Sequence, residues 1–85
     1  MTDVFRARAD PTRRAILDEL ADRDDQTLFE VCARLATKHV VSASRQAVSQ
    51  HIDVLVVAGL VTLRREGRSK FHRIDQRPLT HLTDR

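Results

Sequence analysis

The sequence predicts a small α+β fold, mostly α-helical, that ends in a β-hairpin and a short helix. Apolar residues repeat at helical spacing over much of residues 4–58. They then alternate with polar residues on both sides of a glycine-containing turn, EGRS, at residues 66–69. The chain has 85 residues and contains neither a repeat nor a linker, so we expect residues 1–85 to form one domain. A chain of this size buries only roughly 60–65% of its unfolded surface, and a partner subunit would add to its stability.

Two helices are predicted at the start of the chain. The apolar residues within 4–9 indicate a short first helix, which ends at Asp10 because a proline follows. Asp10 as N-cap and Pro11 at the first helical position then favour a second helix over about residues 11–22. The buried stripe of this second helix is predicted to contain Ile16, Leu17 and Leu20.

A third and a fourth helix follow. Thr27 and Glu30 fit a capping box, in which each side chain binds the backbone N–H of the other residue. The end of this third helix is not marked, since residues 36–43, ATKHVVSA, contain no glycine. Ser44 is a good N-cap for the fourth helix, and Gly59 fits the position just past its end. The buried stripe of the fourth helix is predicted to contain Val48, Ile52 and Leu55.

The pattern next predicts two strands, over residues 60–66 and 70–74. Phe71 and Ile74 are out of phase with each other, so we expect a bend or a strand end between them. Residues 78–85 then predict one or two turns of a final helix.

This order of elements, two helices followed by a basic hairpin, is that of a winged helix-turn-helix. In such proteins the second helix of the pair lies in the major groove of DNA. Arginine can bind guanine and glutamine can bind adenine through two hydrogen bonds each, which suits the polar face of the fourth helix. That face carries Arg45, Gln46, Ser49 and Gln50. The hairpin adds cations suited to phosphates or to the minor groove, namely Arg64, Arg65, Arg68 and Lys70.

Charge is distributed unevenly along the chain. The formal net charge is +3, yet residues 1–43 contain seven Lys and Arg against eight Asp and Glu, whereas residues 44–85 contain eight against four. This excess favours a polyanionic partner such as double-stranded DNA. The alternative is a winged-helix module that binds proteins without specific DNA readout, because polar helix faces and basic hairpins also occur as ordinary solvated surface.

Four stretches of the chain resemble the ArsR-type (ArsR/SmtB) bacterial repressors: DPTRRAILDEL, TLFEVCARL, SRQAVSQHIDVLVVAGLV and RREGRSKFHRID. The resemblance implies a winged-helix homodimer that binds a palindromic operator and usually represses transcription. It also implies that Ser44 and His51 lie on the recognition helix and that residues 65–70 form the wing. The chain departs from the family's short turn, since eight residues separate Leu35 from Ser44. We expect either a longer third helix or a real loop there.

Family dimers pair through the first and last helices, and the last helix is short here. The two terminal segments are nevertheless more apolar than a monomer needs, which predicts a dimer interface. The alternative is that these residues cap the core of one subunit. The residues concerned are Val4, Phe5, Leu79 and Leu82.

No cofactor or metal is predicted, and no effector ligand is identified. Metal-sensing members of the family that the chain resembles carry paired cysteines on the third helix, or Asp and His on the last one. Here Cys32 is the only cysteine, and Arg34 stands where the resemblance would place a second thiolate. His81 and Asp84 offer two ligands per chain, fewer than a tetrahedral metal site requires. We therefore expect Cys32 to be a small core residue.

An enzyme is not predicted either. The chain has no glycine-rich phosphate loop and no GxSxG motif. The sequence contains the residue types of a catalytic triad at Ser49, His51 and Asp53. These side chains cannot line up for catalysis, because residues two apart on a helix point in different directions. No apolar run approaches the roughly 18 residues of a membrane span, and the N-terminus lacks an apolar signal core. A cytoplasmic protein without membrane contact is expected.

Overall fold

The structure is a computed structural model that describes residues 4–75. Four helices precede a two-stranded antiparallel hairpin, which confirms the predicted winged helix-turn-helix. The elements in chain order are α1 (Val4–Ala9), α2 (Pro11–Asp22), α3 (Leu28–Lys38), α4 (Arg45–Val57), β1 (Val61–Glu66) and β2 (Ser69–Ile74). The predicted final helix, over residues 78–85, lies outside the described residues. Within residues 4–75, no helix has both the length and the apolar character needed to cross a membrane.

The predicted N-caps are confirmed. The Asp10 carboxylate accepts a hydrogen bond from the backbone N–H of Arg13 at 3.1 Å and so begins α2. Thr27 and Glu30 form the reciprocal capping box at the start of α3, with side chain to backbone distances of 3.2 and 2.9 Å. Ser44 caps α4 in the same way. Local hydrogen bonds encoded within four residues therefore fix the start of each long helix.

The end of α3 is formed without glycine. The helix ends at Lys38, and Val40 then adopts a left-handed backbone conformation with φ 51°. The backbone N–H of Val41 donates to the carbonyl of Leu35 at 2.9 Å, which turns the chain away from the helix axis. Of the two expected arrangements, the structure shows a real loop between α3 and α4. The sequence carries no ordinary stop signal there because valine stands at the position that glycine usually occupies. A β-branched residue at positive φ is strained.

The core lies between the four helices and the base of the hairpin. Helices α2 and α4 contribute their predicted stripes, α3 adds Val31 and Leu35, and the residue after Gly59 closes the core from the hairpin side. The largest fully buried apolar side chains are Ile16, Leu20, Val31, Leu35, Val48, Leu55, Leu60 and Val61. Cys32 is partly buried against this cluster, as expected of a small core residue.

The hairpin is regular, and the predicted bend between Phe71 and Ile74 is wrong. Strand β2 runs unbroken, with Phe71 opposite Arg64 and His72 opposite Leu63. Phe71 lies on the outward face, where the Arg64 guanidinium stacks over its ring at 4.9 Å from the ring centre. His72 takes the inward position instead. Phe71 can point outward from a regular strand because the Arg64 guanidinium covers its ring, and no bend is needed to bury it.

A polar contact fixes the hairpin against the connection between α2 and α3. Gln26 and His72 exchange backbone hydrogen bonds of 3.2 and 2.8 Å, and the His72 Nδ1 donates to the Gln26 carbonyl at 2.9 Å. The Gln26 side chain in turn donates to the carboxylate of Glu19 at 2.8 Å. The position of the hairpin relative to α2 and α3 is therefore set by buried hydrogen bonds as well as by packing.

Glu19 is the centre of a buried ionic cluster. Its side chain is fully buried in α2 and accepts hydrogen bonds from Gln26, Arg34 and His39, with the Lys38 ammonium at 3.6 Å. Burial raises the pKa of this carboxyl, but the hydrogen bonds from these three partners outweigh it and hold the pKa below its ordinary value. The cluster fixes the C-terminal half of α3 against α2.

Candidate nucleic-acid interface

The start of α4 presents one continuous polar face. Three of its four predicted residues are exposed and the fourth, Ser49, is half-buried. Their side chains have no hydrogen bond or ion pair with any residue in 4–75. The opposite side of the helix is buried in the core through Val48, Ile52 and Leu55. The structure therefore brings together, on an unpaired face, Arg45, Gln46, Ser49 and Gln50.

Ser44 and His51 are placed differently. The Ser44 hydroxyl accepts from the backbone N–H of Ala47 at 3.1 Å, so its first role is to cap the helix. The His51 Nδ1 lies 3.3 Å from the Arg13 guanidinium and 3.8 Å from the Asp10 carboxylate. His51 thus faces α2 and lies apart from the polar face. DNA contacts by Ser44 and His51 stay predictions.

Arg13 of α2 connects α1 with His51 of α4, a role that no sequence pattern indicated. Its guanidinium donates to the carbonyl of Ala7 at 2.6 Å, at the C-terminal end of α1. Beside it, the pKa of Asp10 is lowered: burial acts to raise it, but the Arg13 backbone N–H and the charges of His51 and Arg13 outweigh burial. An arginine in the first turn of a helix carries no local sign of such a contact.

The wing is the hairpin tip, residues 65–70. Its turn needs a residue at positive φ, and Gly67 supplies it at 62°. Arg65 and Lys70 pair across the strands on the face that continues from the core, and Arg68 lies in the turn. All three are exposed, and within residues 4–75 none of them has an ion-pair partner. These charges are free to meet phosphates.

Arg64, the fourth predicted cation of the hairpin, already contacts other side chains of the protein. Its guanidinium lies 2.9 Å from the Glu66 carboxylate and 3.9 Å from that of Asp25, and it stacks on Phe71. It occupies the outward face of the hairpin, opposite in direction to Arg65. Its DNA contact stays a prediction, and its observed contacts hold the hairpin together.

A cleft of about 300 Å³ lies between α4 and the wing, and of the polar face of α4 it is Ser49 that lines it. Ser49 and Asp53 of α4 form one side, Arg68 and Lys70 of the wing another, and the first turn of α3 closes it with Phe29. The recognition face and the wing therefore open into one surface feature. Sequence patterns did not predict this cleft because its walls come from three separate segments.

No metal centre is evident in the part of the chain that the structure describes: no group of three or more His, Cys, Asp or Glu there could hold an ion. His81 and Asp84 lie outside it. Burial raises the pKa of the Cys32 thiol, and the nearby positive charge of Arg45 opposes this shift. Cys32 is thereby kept in its less reactive thiol form.

Comparison with known proteins places this geometry in a family. A family model described as a helix-turn-helix domain matches residues 9–64. An uncharacterized HTH-type transcriptional regulator of Bacillus subtilis, YuzN, is 46% identical over 79 residues, which cover 93% of this chain and 86% of that protein. The ArsR-like transcriptional regulator from Rhodococcus sp. RHA1 matches with a TM-score of 0.77 and 36% identity, over 95% of this chain and 70% of that one. The chain belongs to the ArsR-type family of winged helix-turn-helix regulators.

The ArsR-type chain is thus a DNA-binding transcriptional regulator, and its family and fold are not those of an enzyme. A further solved structure is similar to it: the homodimeric winged helix-turn-helix DNA-binding domain of a Mycobacterium bovis protein, described as a possible ArsR-family regulator. The TM-score is 0.75 and the identity 26%, over 95% of this chain and 68% of that one. That relative is a dimer in solution.

Proposed function

We propose that this chain represses transcription as a cytoplasmic homodimer that binds a palindromic operator, with residues 1–85 acting as one DNA-binding domain. The observation that carries the proposal is the unpaired polar face of α4 beside the free cations of the wing, with Ser49 of that face and Arg68 and Lys70 of the wing lining the same cleft. Helix α4 enters the major groove, and the wing meets the neighbouring backbone. The need for a dimer follows from the short readout of a single recognition helix.

Base recognition is assigned to the first turns of α4. Arg45 and Gln46 are exposed at the N-terminal end of the helix, where a recognition helix contacts base edges. Gln50 lies one turn further on the same face. Asp53 follows in the cleft, where its negative charge disfavours phosphate, so the readout ends before it.

Two substitutions test the base contacts. Gln46→Ala and Arg45→Ala should each weaken binding to an operator taken from the gene's own upstream region by ~1–3 kcal/mol if a two-bond contact is lost. Binding to random duplex DNA should change less for Gln46→Ala. Both affinities can be measured by fluorescence anisotropy at one salt concentration.

The matched control for Arg45→Ala is Arg14→Ala. Arg14 is exposed on α2 and outside the proposed interface, so this variant removes the same charge without removing a base contact. Equal losses on specific and random DNA for Gln46→Ala would contradict the base-reading role and leave only general DNA binding.

The dimer is proposed to form through the terminal segments. Phe5 on α1 is 63% exposed and Val4 beside it is half-buried, so the two together offer an apolar surface on α1. Leu79 and Leu82 lie outside the described residues. The dimeric relative from Mycobacterium bovis supports this proposal.

Phe5→Asp should weaken the dimer and specific DNA binding together, because it places a charge in the apolar contact. Analytical ultracentrifugation measures the first effect, and circular dichroism should show that the helices remain. Val40→Asp is the control, since Val40 is exposed in the loop before α4. A wild-type monomer at high micromolar concentration that still binds the operator tightly would refute the dimer but not DNA binding.

A further inference from the structure

His72 lines the cleft between α4 and the wing and is only 6% exposed. Its Nδ1 lies 2.9 Å from the carbonyl oxygen of Gln26. A carbonyl can only accept, so Nδ1 carries the hydrogen, and in the neutral ring Nε2 is an acceptor. Nε2 has no hydrogen-bond partner among residues 4–75. Within residues 4–75 the one fully enclosed side-chain polar atom without a partner is Gln26 Oε1, so His72 Nε2 is open to the cleft, where a ligand that supplies a donor can reach it.

Two apolar side chains on the walls of the cleft are exposed to solvent. Phe29 at the start of α3 is 69% exposed and Leu63 of β1 is 43% exposed, and both face the same cleft, above the buried side chain of Ile52. These surfaces suit a flat apolar group. The volume of about 300 Å³ is at the lower end for sites that bind small organic molecules, which are roughly 300–1,000 Å³.

The cleft has cations on its wing side and hydrogen-bond acceptors elsewhere on its walls. Arg68 and Lys70 stand on the wing side and have no ion-pair partner within residues 4–75. Asp53 on α4 and the Nε2 of His72 are acceptors. A ligand that fits both sides has a carboxylate towards the wing and a hydrogen-bond donor towards the acceptors.

We propose that this cleft binds a small aromatic carboxylate that carries a hydroxyl group, and that the bound ligand prevents DNA binding. The ring packs between Phe29 and Leu63, the carboxylate pairs with Lys70 and Arg68, and the hydroxyl donates to His72. The consequence for DNA rests on the proposed function, since a filled cleft excludes the DNA backbone from the space between α4 and the wing. Ligand binding itself does not depend on it.

The test titrates the full chain with 4-hydroxybenzoate and follows the backbone amide signals by ¹H–¹⁵N NMR. We expect saturable shifts centred on Phe29, Asp53, Leu63 and Lys70. Benzoate lacks the hydroxyl and should bind about fivefold more weakly, as expected for the loss of one neutral hydrogen bond. The compound 4-hydroxybenzyl alcohol lacks the carboxylate that pairs with two cations and should bind at least about tenfold more weakly, because hydrogen bonds to charged groups contribute more. Absence of saturation at millimolar concentrations, shifts elsewhere, or equal affinities for the three compounds would overturn the proposal.

Two variants check the assignment of the walls. Phe29→Ala removes an exposed ring that the core does not need and should weaken 4-hydroxybenzoate binding severalfold. His72→Asn keeps a donor near the position of Nδ1 and removes Nε2, so it should abolish the preference for 4-hydroxybenzoate over benzoate. Val57→Ala is the control, because Val57 is an exposed apolar residue of α4 that does not line the cleft. Unchanged binding by Phe29→Ala would overturn the proposed position of the ring.

A separate measurement tests the consequence for DNA. Fluorescence anisotropy with a labelled duplex should show competition, with the apparent Kd for DNA rising linearly with the free ligand concentration, by a factor of one plus the ratio of that concentration to the Kd of the ligand. Ligand binding with unchanged DNA affinity would overturn the blocking role. Failure of the unliganded chain to bind any DNA would instead contradict the proposed function, while the NMR result for the cleft would stand.

Discussion

Arg68 offers the sharpest test of the wing, because its side chain is exposed in the turn and has no ion-pair partner within residues 4–75. Arg68→Ala should therefore leave the fold intact while removing one charge. Each phosphate neutralised contributes about 0.9 to the slope of log K against log salt concentration. A dimer with two wings should lose about 1.8 from this slope. Over a fourfold rise in salt, the wild type should then lose on the order of tenfold more affinity than the variant.

The assay is fluorescence anisotropy at several potassium chloride concentrations, with both an operator and a random duplex. Arg68→Ala should reduce the slope equally on both, since phosphate contacts carry no sequence information. Arg73→Ala is the matched control: it lies on the same hairpin, but its guanidinium is 3.0 Å from the Asp25 carboxylate, so its charge is largely balanced. An unchanged slope for Arg68→Ala, or an equal fall for Arg73→Ala, would refute the phosphate contact. A wild type with little salt dependence would favour the protein-binding module instead.

Two further predictions concern stability. Glu19→Gln should lower the free energy of unfolding by about 1.5–3 kcal/mol, because it removes the buried negative charge that binds Arg34, which keeps Asp22 at 3.3 Å as a partner. Since the pKa of Glu19 is held below its ordinary value, its stabilisation is present above about pH 4.3 and is lost as the pH falls through the lower folded-state pKa. Urea unfolding between pH 6 and 3 should thus show a smaller pH effect in Glu19→Gln, and parallel curves would contradict this. Val40→Gly should raise the free energy of unfolding by about 0.5–1 kcal/mol and so raise the urea midpoint, since relief of the positive φ exceeds the added entropy of the unfolded chain. A lower midpoint would show that Val40 is not strained.

The parts of the fold that the sequence predicts correctly depend on local signals. Asp10, Thr27 and Ser44 each satisfy a backbone N–H three residues ahead, so their roles are visible in a short window of sequence. The end of α3 has no such signal, because Val40 adopts the conformation that usually requires glycine. The regular strand through Phe71 was also unpredictable, since its partner Arg64 becomes a neighbour only when the hairpin forms.

In the candidate site too, some features follow from local sequence patterns and others depend on residues far apart in sequence. The face of α4 follows from helical spacing alone, since a buried stripe at Val48, Ile52 and Leu55 leaves the opposite side to polar residues. The engagement of His51 by Arg13 joins residues 38 apart in sequence, and no periodicity indicates it. The cleft likewise needs the first turn of α3 to meet the wing.

The alternation of the hairpin explains why only some of its cations are free. Arg64 points outward, where Glu66 and Phe71 hold it, whereas Arg65 and Lys70 continue the inward face beyond the core. A shift of one residue in register would exchange these roles and place the free charges away from α4.

The register is in turn secured from below by His72, which pairs with Gln26 through three hydrogen bonds, and Gln26 binds the buried Glu19. A buried polar connection thus runs from α2 to the wing and fixes the spacing between the wing cations and α4. That spacing must match the distance between a major groove and the adjacent backbone for the two contacts to form together. If α4 and the wing bind DNA as proposed, the buried cluster around Glu19 sets the geometry of recognition, although none of its members needs to touch DNA.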